Sequence, residues 1–75
     1  MSIEKIFAEV FSLSESSVVD ALALHDIPSW DSLAHMMLIT RLEDAYQIQL
    51  TGDEIADMKS VGAARNALRA HGAAL

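Results

Sequence analysis

Between Ser32 and Tyr46 the chain runs without a glycine or proline, and its apolar side chains do not share one face. At a helical step of about 100° per residue, Leu38, Ile39, Leu42, Ala45 and Tyr46 fall on one side. Leu33, Met36, Met37 and Thr40 gather on another, with Glu43 and Asp44 one turn further along. Ala34 and Arg41 separate the two faces along one edge. A chain of 75 residues is read as one domain, residues 1–75, with a thin core. Such a domain buries only about 60% of its unfolded surface, so one core cannot take both faces. The first face is expected to pack on another helix. The second either lies under another part of the chain or stands open to a partner, and methionine suits both settings.

The remaining segments supply the other helices. Ile3, Ile6, Phe7, Val10 and Phe11 form an amphipathic stripe, with Ser2 placed to cap it and Glu4 in its first turn, which predicts a helix over residues 3–12. Asp31 or Ser32 caps the long helix. Thr51 and Glu54 have the spacing of a capping box, opening a short helix through about Met58. Ser60 caps a last helix with Val61, Ala64, Ala67 and Leu68 inward, and Gly72 is a natural stop. From Leu13 to Asp31 lies a long connection, Ser-rich at its start and carrying Pro28. Val18, Val19, Leu22, Leu24 and Ile27 make it too apolar for a free linker, so it is expected to wrap the core with one short helical turn around Val18–Ala23. No segment alternates at the period of a strand. The expected fold is all-α: a small four-helix bundle of three long helices and a short third one, with a long loop between the first two.

Several function classes are disfavoured at once. The chain has no cysteine, hence no disulfide framework and no thiol of its own. A formal charge of -6 argues against nucleic acid, which demands a basic face, and suits either partners with positive patches or a solvated surface that simply keeps the protein soluble. No apolar run approaches the roughly 18 residues of a membrane span, and no basic-then-apolar signal pattern opens the chain, so a soluble cytoplasmic monomer is expected. Four short helices do not easily enclose a substrate cavity, and an enzyme is not expected. Asp31, Ser32 and His35 invite comparison with a hydrolytic triad, but residues 31 and 32 point about 100° apart on a helix, which makes the relay awkward. His25, His35 and His71 match no zinc spacing. His35 is expected to border the core or the site, His71 to act as a cation at a helix C-terminus, and Trp30 to anchor the loop.

The string Asp31-Ser32-Leu33, opening a helix after a long loop, resembles the attachment site of acyl and peptidyl carrier proteins. The resemblance extends over roughly residues 3–72 in the order of helices, and the segment Trp30–Met36 is similar to the start of that helix in free-standing bacterial carriers. It implies that Ser32 carries 4′-phosphopantetheine, derived from coenzyme A. Asp31 would help position the transferase's Mg²⁺ or basic groups, and Leu33 would supply an apolar contact. The family also implies a docking face of Leu33, Met36, Met37, Thr40, Glu43 and Asp44, with Asp53, Glu54 and Asp57 nearby. The implied partners are a phosphopantetheinyl transferase and the enzymes that load and process the acyl or aminoacyl cargo. Two positions depart from the family. Trp30 stands where a glycine or small residue often precedes the triplet, and Met37 and Arg41 lie along a helix that is often richer in acids.

Physical chemistry makes such a site sensible. A helix start offers unpaired N–H groups and the positive end of the dipole to a phosphodiester. Both Asp31 and Ser32 are also ordinary capping residues. An aminoacyl or peptidyl carrier is not distinguished from an acyl carrier. The rival from another class is a small helical interaction module without a prosthetic group, using the Met36–Met37 face as a helix contact. The small residues of the last helix, Ala63, Ala64, Ala67 and Ala70, suit either a cargo cleft or close helix packing.

Overall fold

The computed structural model describes residues 2–73. Among these are four α-helices and no strand: α1 (Ile3–Phe11), α2 (Ser32–Tyr46), α3 (Gly52–Asp57) and α4 (Val61–Ala70). Each begins at a residue whose side-chain oxygen accepts a first-turn N–H. Ser2 takes that of Lys5, Asp31 that of Ala34, Thr51 that of Glu54 and Ser60 that of Ala63. The capping box at α3 forms fully, the Thr51 N–H donating to Glu54 Oε1 at 2.9 Å. Helix α1 stops one residue before the expected end. Ser12 adopts left-handed backbone at φ 56°, and the N–H groups of Ser12 and Leu13 both return to the Ala8 carbonyl. Gly72, at φ 84°, follows the end of α4 as expected.

The core is built where the stripes meet. Ile3, Ile6, Phe7 and Phe11 of α1 lie buried with Leu38, Ile39 and Leu42 of α2 and Val61, Ala64 and Leu68 of α4. Val10 is only half-buried. On α2 the inward face is narrower than expected: Tyr46 is half-buried against the core and Ala45 is exposed. Trp30 joins from the loop at 5% exposure, edge-on to Phe7 at 5.5 Å between ring centroids and 5.0 Å from Phe11.

The long connection departs from the expected turn over Val18–Ala23. Helical turns of the tighter 3-10 kind flank that stretch instead, at Glu15–Ser17 and Leu24–Asp26. The first is held by the Ser14 and Ser17 hydroxyls at 2.7 Å, the second by Asp26 Oδ2, which accepts the Ala23 N–H at 3.0 Å. Between them the backbone pairs with the α3–α4 junction. Leu24 N–H donates to Lys59 C=O at 2.8 Å, and Val61 N–H to Leu22 C=O at 2.9 Å. Groups used in this long-range pairing are no longer free for a local helix. Gly62 N–H reaches Asp20 C=O at 3.0 Å, and a Cβ at 62 would stand 3.1 Å from that oxygen, a tight contact that the glycine avoids.

Arg65 fastens α4 to this connection and to α1. Its NH2 group donates to Glu4 Oε2 at 2.5 Å and its Nε to Asp20 Oδ1 at 2.9 Å. The guanidinium, hydrogen-bonded to Glu4, is the main cause holding that carboxyl below its ordinary range. Arg65→Ala is expected to destabilise the fold by about 1–2 kcal/mol, solvent screening at Asp20 keeping the loss modest. A urea midpoint equal to that of the parent would contradict this.

Candidate functional site

The start of α2 presents Ser32 at its first helical residue. Asp31 provides the cap, its Oδ1 accepting the Ala34 N–H at 2.9 Å, while its carbonyl accepts the His35 N–H at 2.8 Å. Capping therefore does not occupy Ser32, whose side chain is exposed and has no hydrogen-bond partner among the described residues. A hydroxyl in this place is open to a second macromolecule and sits at the positive end of the α2 dipole. An anion bonded to its oxygen would meet first-turn N–H groups that helix geometry leaves without intrahelical acceptors.

Beside Ser32 opens a cleft of about 410 Å³ between the head of α2, the second 3-10 turn and α3. Leu24, Trp30, Ile55 and Met58 give it apolar walls, with Asp31 and Lys59 contributing the charged groups. The Ala-rich face of α4 does not line it. Ala64 is buried in the core, Ala63 and Ala67 are half-buried and Ala70 is exposed.

His35 holds the cleft's two sides together. Trp30 Nε1–H donates to His35 Nδ1 at 2.8 Å, and His35 Nε2 lies 2.8 Å from the Ile55 carbonyl on α3. An indole nitrogen only donates and a carbonyl only accepts, so the imidazole proton belongs on Nε2. Both ring nitrogens are thereby engaged, and neither is bonded to Ser32. The other histidines are elsewhere: His25 beside Asp26, and His71 bonded to Glu54 at 2.9 Å. No cluster suited to a metal ion occurs among the described residues. His71 thus acts as a partner for Glu54 across from α3. The Glu54 carboxyl is held below its ordinary range, first by the Thr51 backbone N–H and then by His71.

The second face of α2 is open. Leu33 is 73% exposed, Met36 50% and Met37 53%, and the long connection does not cover them. They floor a shallow groove of about 420 Å³ against Val10 of α1, ended by the ion pair of Arg41 with Glu9. Thr40 borders the groove, its hydroxyl donating back to the Met36 carbonyl at 3.0 Å.

The acids nearby divide into two kinds. Glu43 accepts the Leu50 N–H at 2.9 Å, and Glu54 serves the α3 cap and His71, so both carboxylates tie the fold. Asp44, Asp53 and Asp57 are exposed and form no ion pair among the described residues.

Sequence reasoning missed the Trp30–His35–Ile55 connection and the contribution of Leu24 and Lys59 to the cleft. Residues 30 and 35 straddle a helix cap, a spacing with no periodic signature. The indole and imidazole were readable only as a loop anchor and a border residue.

No protein-family model matches the chain, and the comparison with curated proteins finds no match.

Proposed function

We propose that this chain is an acyl carrier protein that bears 4′-phosphopantetheine on Ser32. The observation that supports this reading most is the state of the Ser32 hydroxyl. It is exposed, released from capping by Asp31, and set at a helix start between an apolar-walled cleft and an open Leu33–Met36–Met37 face.

In the loading step, Ser32 Oγ attacks the phosphorus nearer the pantetheine in coenzyme A. The new O–P bond forms as the pyrophosphate P–O bond breaks. Adenosine 3′,5′-bisphosphate leaves, and the hydroxyl proton passes to the transferase. The residues present fit the group: the α2 N-terminus meets the phosphodiester's charge, and the cleft offers apolar surface to the arm. Once attached, the arm supplies a terminal thiol that holds an acyl group as a thioester, a function this cysteine-free chain lacks. Asp31 caps α2 and adds charge beside the site for the transferase's Mg²⁺ or basic residues.

Docking would use Leu33, Met36 and Met37 as the apolar centre, Thr40 at their edge, and Asp44, Asp53 and Asp57 as the available acids. Fatty acid, polyketide or related biosynthesis is the setting this chemistry serves, with the loading and processing enzymes as partners and the cytoplasm as its place. The same site would serve an aminoacyl or peptidyl cargo. The open face alone also suits a helical interaction module with no arm.

Transfer of one phosphopantetheine group from coenzyme A to Ser32 by a broad-specificity transferase tests the proposal, and a folded chain that accepts none contradicts it. Asp44→Lys is expected to lower kcat/KM for that transfer about fivefold at low salt, and much less at high salt, since an exposed rim charge acts chiefly on encounter. Equal rates for parent and variant across a salt series would remove Asp44 from the docking surface.

A further inference from the structure

We propose that His35 is a proton-operated latch on the wall of the cleft beside Ser32. Its ring, on α2, bridges two other elements: Trp30 from the loop and Ile55 from α3. The indole and imidazole lie nearly parallel, with centroids 5.9 Å apart and planes at 26°. Because Trp30 only donates and Ile55 C=O only accepts, the bridge requires a bare Nδ1 and a protonated Nε2. A second proton has one place to go, Nδ1. There it faces the Trp30 N–H, donor against donor, and that hydrogen bond is lost. The Nε2–H bond to Ile55 survives and gains from the charge. Acid therefore breaks the latch on its Trp30 side while leaving the bond between α2 and α3 in place.

The surroundings set the sense of this switch. The charged residues lining the cleft with His35 are Asp31, at the head of its own helix, and Lys59, from the segment after α3. On α3, Glu54 is held by Thr51 and His71, and on the second 3-10 turn the exposed His25 faces Asp26. His71 is bonded to Glu54 and does not line the cleft. Trp30 is also packed on Phe7 and Phe11, so the loss of its N–H bond alters the cleft wall where it joins the core. The inference concerns the protein without any arm and stands apart from the modification of Ser32.

Trp30 is the sole tryptophan, so fluorescence excited selectively at tryptophan, without Tyr46, reports on this wall alone. Acidifying the unmodified chain from pH 8, over the range in which circular dichroism shows it folded, is expected to give a one-proton loss of emission intensity with a shift to longer wavelength. His25→Gln and His71→Gln should keep that transition. His35→Gln should abolish it, because a carboxamide accepts from Trp30 and donates to Ile55 without titrating. Nitrogen NMR of the parent imidazole at pH 8, which needs no variant to fold, should report the Nε2–H tautomer. A transition that survives in His35→Gln, a flat titration of the parent, or an Nδ1–H tautomer would each overturn the proposal.

Discussion

Replacing Trp30 by alanine is expected to remove about 3–5 kcal/mol of stability, enough to leave a domain of this size largely unfolded. The indole is 5% exposed and contacts both phenylalanines of α1, so its deletion opens a large cavity in a thin core. It also strips His35 Nδ1 of its donor in a half-buried place. Trp30→Phe separates the two effects: it keeps most of the apolar area and loses the hydrogen bond, for an expected cost of about 1–3 kcal/mol. Urea unfolding followed by circular dichroism measures both. A Trp30→Ala chain within about 1 kcal/mol of the parent would show that the aromatic cluster does not carry the loop. The same packing ties the loop to α1 just before the start of α2. Here the residue before the triplet is a structural member of the core.

Ser32→Ala is expected to abolish phosphopantetheine loading completely while changing stability by less than about 0.5 kcal/mol. The two halves of that expectation have separate causes. Loading needs the hydroxyl oxygen as the nucleophile, and no neighbouring side chain can replace it at the same point. Stability is indifferent because Asp31, not Ser32, accepts the Ala34 N–H. Alanine is, if anything, the better residue inside a helix. A strongly destabilised Ser32→Ala chain would return Ser32 to a structural role.

The helices were legible because their causes are local. Ser2, Thr51 and Ser60 cap their helices where the pattern of polar and apolar residues predicted, and the buried stripes follow the period of a helix. The long connection was less legible. Its turns depend on hydroxyls bonding one another around Ser14, and on backbone pairing between Leu22–Leu24 and Lys59–Val61, partners far apart in sequence. Periodicity also left the fate of the Leu33–Met36–Met37 face open, because exposure depends on the route the loop takes. Among the acids, composition alone did not separate Asp44, free at the surface, from Glu43, which is bonded to the Leu50 N–H.

The central claim is that Ser32 accepts the arm, and intact mass measures it directly. The parent chain and Ser32→Ala would each be incubated with coenzyme A, Mg²⁺ and a broad-specificity phosphopantetheinyl transferase. The account predicts a gain of one phosphopantetheine group in the parent and none in the variant. An unchanged parent mass, from a chain shown to be folded by circular dichroism, would contradict it and favour an interaction module that works through the exposed methionine face alone.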